Sequence, residues 1–318
     1  MPPIPRFCRV PALIALRSLA LTALASLQVL VAGCQPRAEP AYQPTYSRHA
    51  SQEPEAVYLL AVHPLHNPKR LFERYQPLVD HLNGRLKGVR IQLEASASYA
   101  AFEQKLKDRT VHLALPNPYQ AIMAVDSGYH VFAKLGDDHE FRGLLLVRAD
   151  SGISKPADLV GKAVSYPAPT ALAATLLPQR WLHDHGVNVL RDLDNRYVGT
   201  QESSIMSVAL GKTAAAATWP QPWRMFVKEH PQLAGQLEVK WQTMPLVNNA
   251  LVFRDDMPAD VVVELRQMLL ELNDTSQGRD LLAHLELDRF EPATDHTYQK
   301  VRDFLQNFER DVRPIQQP

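Results

Sequence analysis

The sequence predicts an α/β protein of two lobes, built on mixed, mainly parallel sheets with a central cleft. Three observations lead there. From residue 57 onward, apolar runs of strand length alternate with stretches whose apolar residues recur at helical spacing. A polar link, RADSGISKPADLVG (148–161), interrupts the alternation, which then restarts. ALVF (250–253) reads as a strand returning to the first block. Strand–helix alternation favours parallel strands covered on both faces, and a cleft then opens at strand C-termini and helix N-termini. The expected division is 57–148 plus 247–318 for one lobe and 149–246 for the other.

The elements follow in chain order. Residues 1–33 read as a signal segment: Arg6, Arg9 and Arg17 precede an apolar run from Ser18 to Ala32 that is short for a membrane span. The run ends in Val31-Ala32-Gly33-Cys34, which resembles a bacterial lipobox. That resemblance implies acylation of Cys34, palmitate included, and a periplasmic lipoprotein on the inner or outer membrane. The alternative is an ordinary signal peptide cut elsewhere. Several acyl chains would make the anchor stable. Residues 34–56 are Pro-rich, without apolar periodicity, and read as a flexible tether.

VYLLAV (57–62) is a strand; Leu71, Phe72, Tyr75, Leu78, Val79, Leu82 and Leu86 mark a helix. VRIQLE (89–94) and VHLAL (111–115) are strands around a short helix, Tyr99–Lys107. Asn117-Pro118 starts another helix, because Asn caps and Pro suits the first turn. LLLV (144–147) is a strand of the first block. In the second block KAVSY (162–166), RYVG (196–199), TAAAAT (213–218) and LEVKW (237–241) are strands. Helices run from Thr170 to near Gly186 and from Ser203 to Leu210. The tail is helical: Pro258 opens one helix, with Val261, Val262, Leu265, Met268, Leu269 and Leu272 inward, and Tyr298, Val301, Phe304, Leu305 and Phe308 mark the last.

Composition narrows the function. Lys plus Arg equal Asp plus Glu at 34 each, and three of the arginines lie in the signal segment, so nothing favours nucleic-acid binding. Of the two cysteines, Cys8 lies in the signal segment and only Cys34 remains, so no disulfide is expected. His63 and His66, and His183 and His185, lack the i, i+4 spacing of a helical metal pair, and no metal or cofactor is expected. No GxSxG, P-loop, HExxH or GxGxxG occurs, so the chain is not read as an enzyme.

Several stretches resemble the phosphate/phosphite/phosphonate-binding proteins of ABC importers. They are NPKRLFERYQPLVDHL (67–82), Tyr99 in SYAAF, VHLALPNPYQA (111–121), VRADSGISKPADLVGKAVSY (147–166) and VGTQESSIMSVALGKTAAAATW (198–219). The resemblance implies a type II periplasmic binding protein fold, and a monomer that delivers a small molecule to an ABC permease and ATPase on separate chains. A ligand-sensing subunit for a membrane signalling protein is the alternative. It also implies that the family's Ser-Thr-Ser phosphonate clamp falls on Ala171, Leu172 and Ala173, its ligand His on Gln201, and an aromatic on Phe141. Acids that meet a ligand amine fall near Pro222 and Asn249.

The opening of the helix at 170–173 therefore offers backbone N–H groups and apolar surface, with one hydroxyl, on Thr170. A desolvated phosphonate dianion needs several charge-assisted donors, so altered specificity is expected. An apolar, aromatic or cationic small molecule fits better. The expected pocket gathers His63, Tyr99, Tyr119, Phe141, Thr170, Ala171, Leu172, Gln201, Glu202 and Trp219, with Tyr166 and Trp223 as further aromatic candidates and Glu202 as the charge for a cation. Trp219 fits core and pocket equally, and Thr170 fits an N-cap as well as a ligand contact.

Overall fold

The computed structural model describes residues 55–315. The signal segment, Cys34 and nearly all of the tether lie outside the described residues. The tether ends one residue early, because Ala56 already pairs with Val89 in the sheet.

Two mixed sheets organise the chain. The first has the order β11-β4-β10-β3-β1-β2. Its strands are β1 (Ala56–Val62), β2 (Val89–Glu94), β3 (Leu113–Leu115), β4 (Tyr129–Leu135), β10 (Ala250–Arg254) and β11 (Phe290–Pro292). The second has the order β7-β6-β8-β5-β9, from β5 (Leu144–Arg148), β6 (Lys162–Tyr166), β7 (Leu193–Tyr197), β8 (Ala215–Thr218) and β9 (Leu237–Gln242). Parallel pairing is confined to β1 with β2 and β3, and to β6 with β7 and β8. The other five pairings are antiparallel. The expected parallel majority is thus limited to the strands joined through helices, and the returning strands run against them. β10 inserts between β3 and β4, as expected of a strand coming back to the first block.

One boundary moves. β5, expected in the first block, pairs with β8 and β9 in the second sheet. The chain therefore crosses before LLLV, over residues 136–143, and returns over 243–249. A continuous apolar run states burial but not which sheet supplies it. The two crossings pair with each other: Thr243 N donates to Gly143 O at 2.9 Å, and Leu246 N to Phe141 O at 2.9 Å.

Helices α1 (Pro68–Asn83), α2 (Tyr99–Lys107) and α3 (Pro118–Asp126) cover the first sheet. The second carries α4 (Leu177–Asp184), α5 (Gln201–Ala209) and α6 (Pro220–Glu229), and α7 (Ala259–Leu270), α8 (Ser276–His284) and α9 (Gln299–Asp311) return to the first. Their starts follow the capping chemistry. Asn67, Ser98 and Thr200 each accept from the backbone N–H three residues on. Asn117 makes a full capping box with Gln120. One cluster of buried side chains runs from Ala61, Tyr99 and Phe102 through Phe141 to Ala171, Leu172 and Trp219, so the first block packs against the helix-start and strand-end residues of the second where the cleft is expected.

Candidate functional site

The site lies where strands end and helices begin. His63 follows β1, Tyr99 opens α2, Phe141 sits in the outgoing crossing, Gln201 opens α5, Trp219 follows β8 and Asn249 ends the returning crossing. With Asn117 and Ala171–Ala174 they surround a cavity of only about 10 Å³, room for one water.

The helix after β6 opens unusually. Leu172–Leu176 form a π turn before α4 continues, where an α-helix from Thr170 was expected. Pro178 explains it: in a regular helix its ring clashes with the carbonyl four residues back. Widening the turn relieves that clash, and Thr175 Oγ1 bonds Ala168 O at 2.7 Å. The backbone N–H groups of Leu172, Ala173 and Ala174 meet no acceptor among the described residues, so they are free donors. Their side chains are apolar and buried.

Each polar wall group has a defined state. His63 Nδ1 lies 3.0 Å from Leu115 O. A carbonyl only accepts, so Nδ1 carries the proton and Nε2 is left as an acceptor. Burial lowers the His63 pKa to about 4, so the imidazole is neutral at pH 7. Gln201 Oε1 accepts from Thr218 at 3.0 Å, which leaves its amide N–H groups to donate. Gln201 also lies beside the Tyr99 hydroxyl, whose pKa burial raises. Asn249 is 1% exposed, and neither of its amide atoms has a partner among the described residues. Phe141 and Trp219 pack at 5.6 Å. The cavity thus offers neutral donors, one imidazole acceptor and aromatic surface, with no fixed charge.

The predicted residues divide. His63, Tyr99, Phe141, Ala171, Leu172, Gln201 and Trp219 come together around this cavity. Thr170 does not; it lines a neighbouring cavity of about 290 Å³ with Ser98, Tyr99, Glu103, Ala168 and Tyr197 among others. Tyr119 lines neither: it is 5% exposed and packed in the core, its hydroxyl unpartnered. Glu202 is displaced too. It faces a groove with His66, Arg70 and Glu229, 3.6 Å from Arg70 and 3.4 Å from His230. A first-turn glutamate one residue past Gln201 points a hundred degrees away from it, and the arginine on α1 holds it there. It is not the cleft's charge. Tyr166 is core, against Tyr197 at 5.8 Å, and Trp223 stacks on Phe226 outside the cavity.

Three residues escaped the sequence reading as contacts. Asn117 stood only as a helix cap and Asn249 only as a place where an acid is missing. Glu103 carried a usable signal. It shares the inner face of α2 with Tyr99, Phe102 and Leu106, and a charge in an apolar stripe marks either a buried pair or a site.

A family profile described as "ABC transporter, phosphonate, periplasmic substrate-binding protein" matches residues 60–298. The chain belongs to that family. A binding protein component of an ABC phosphonate transporter from Pseudomonas aeruginosa superposes with a TM-score of 0.75 at 18% identity, over 81% of this chain and 88% of that one. PhnD1 from Prochlorococcus marinus, solved with methylphosphonate, gives 0.74 at 19%, over 81% and 99%. The alkanesulfonate-binding protein SsuA from Xanthomonas axonopodis gives 0.58 at 14%, over 81% and 95%. At such identities these matches establish the two-lobed fold of type II periplasmic binding proteins. Among the described residues, no helix is long and apolar enough to cross a membrane, and no three His, Cys, Asp or Glu side chains group as metal ligands.

Proposed function

We propose that the chain is the solute-capturing component of an ABC importer outside the cytoplasmic membrane, anchored through acylated Cys34, and that its ligand is not a phosphonate. The solute enters between the lobes at 57–143 with 250–315 and at 144–242, and the closed form docks on a separate permease. Family membership supports the capture role. One observation carries the specificity. The start of the π turn presents Ala171, Leu172 and Ala173, all at most 3% exposed, where the resemblance expects three hydroxyls. His63 is neutral, and no cation lines the cavity. A phosphonate dianion here would lose its hydration for amide N–H groups alone, a poor exchange.

Thermal unfolding with 1 mM methylphosphonate tests the specificity. A ligand at 100 times its dissociation constant stabilises by about 2.7 kcal/mol. No shift is expected; a shift of that size means a dissociation constant near 10 µM and refutes it. Capture itself is tested separately, by native mass spectrometry of the protein taken from its own periplasm. A stoichiometric small molecule supports it, and protein that stays empty in its own medium with its importer genes induced counts against it.

A further inference from the structure

Beside the small cavity stands a roomier one whose wall holds an unusual carboxylate. Glu103 is 1% exposed. Its Oε1 is fully engaged, accepting from Thr170 Oγ1 at 2.5 Å and from Gln120 Nε2 at 3.1 Å. Its Oε2 is buried with no partner among the described residues. Lys107, one turn along α2, acts on it only through space. A buried carboxylate with one oxygen unsatisfied is costly, and a pair of neutral donors on the other oxygen does not offset that.

The surroundings suit a cation with an organic body. The cavity of about 290 Å³ sits at the small end of the ligand-site range, roughly 300–1,000 Å³. Tyr99 and Tyr197 supply aromatic surface, and Ala100, Pro167, Ala168 and Pro169 supply apolar walls. Glu103 is the one charged residue lining it. Wall and charge come from both lobes, since Glu103 belongs to α2 and Thr170 to the turn after β6.

We propose that this cavity is the ligand site, that Glu103 is its charge-recognition residue, and that the solute carries an ammonium group with at least one N–H. Oε2 is covered while Thr170 sits on Glu103, so the amine reaches it when the lobes part. The N–H is required because Oε2 is a hydrogen-bond acceptor that a charge-assisted N–H···O bond fills. A quaternary ammonium would gain the aromatic contacts but leave that acceptor empty. This deepens the solute-capture reading and rests on it.

Calorimetric titration of the purified protein tests the proposal, with ethanolamine and 2-phenylethylamine against choline, the N-trimethyl counterpart of ethanolamine. One of the primary amines is expected to bind, ethanolamine at least tenfold more tightly than choline if both register. Glu103→Gln should weaken the amine at least tenfold, while Glu202→Gln leaves it unchanged. Glu103→Gln keeps the acceptor for Thr170 and Gln120 and removes a buried charge, so its ligand-free melting temperature should equal or exceed wild type. Tyr197→Leu, at a 38% exposed position, should weaken the amine severalfold and serves if the Glu103 variant fails to fold. Amine binding undiminished in Glu103→Gln, choline binding as tight as ethanolamine, or no amine bound at 10 mM each overturns the proposal. A non-amine solute found on the native protein would overturn it while leaving solute capture standing.

Discussion

At the scale of single residues, two buried titratable groups tilt the stability profile in opposite directions. His63 is neutral in the native state because burial lowers its pKa from 6.5 to about 4. The unfolded chain takes up the proton first as pH falls. The stability linked to His63 is present above pH 6.5 and is lost as pH falls through 4, a loss of about 3 kcal/mol. Glu103 has its pKa raised, chiefly by burial. Its stabilising contribution is present below pH 4.5 and is lost as pH rises through its folded value. Urea unfolding at pH 7 and pH 4.5 separates them. His63→Gln should lose less stability between the two pH values than wild type does. Glu103→Gln should gain stability over wild type mainly at pH 7. An unchanged acid limb in His63→Gln would show that the imidazole is not held neutral by burial.

At the scale of elements, the π turn stands where the resemblance expects the phosphonate clamp, and it rests on a close contact. A Cβ on Gly143 would lie 2.7 Å from Pro178 Cδ and 2.8 Å from Ala173 O. Gly143→Ala should therefore displace the turn and cost about 1–3 kcal/mol, read as a lower urea midpoint; a neutral outcome would show that the turn yields freely. The reverse design restores chemistry. Ala171→Ser, Leu172→Thr and Ala173→Ser together should give methylphosphonate a dissociation constant at least tenfold below that of the parent, as the free N–H groups gain hydroxyl partners. No gain would place the obstacle in cavity size and not in missing donors. These elements also mark how far the sequence speaks. The helix start at Pro118 was legible because the Asn117 cap acts within three residues. His63 was legible because it follows a strand at the cleft edge, and Tyr99, Phe141 and Gln201 were legible through the family resemblance. The π turn was not, since apolar spacing is nearly the same for both helix types. Strands β4 and β11 and helix α6 were also missed. Phe290–Pro292 is too short to show alternation, and Pro220 and Pro222 hide a helix that tolerates them only in its first turn. Glu202 failed for a long-range reason: its orientation is set by Arg70, 132 positions earlier in the chain.

At the scale of the whole molecule, side chains from both lobes meet across the cleft. Thr170 Oγ1 bonds Glu103, and Asn117 Nδ2 bonds Thr170 O at 3.3 Å. Farther out, Arg70 on α1 pairs with Glu229 on α6, and Arg180 on α4 meets Asp311 at the end of α9 at 2.8 Å. The outer pairs are partly exposed and contribute little each. The inner contact is buried and joins a hydroxyl to a carboxylate, so it carries more. It is also the contact that a solute between the lobes would reinforce, because closure over a bound amine brings Thr170 back onto Glu103. The cavity of about 10 Å³ admits no solute, and the unpartnered oxygen of Glu103 is covered, so capture requires an open state at measurable population. Thr170→Val keeps the size and removes the hydroxyl. In small-angle scattering the ligand-free variant should give a larger radius of gyration than wild type, whose closed form should lie near the roughly 18 Å of a compact unit the size of residues 55–315. Its affinity for the solute should fall about tenfold, since a contact made only in the closed state counts fully toward binding. Identical scattering and affinity in Thr170→Val and wild type would mean that the lobes are held by their apolar interface alone, with Thr170 only a neighbour of the site.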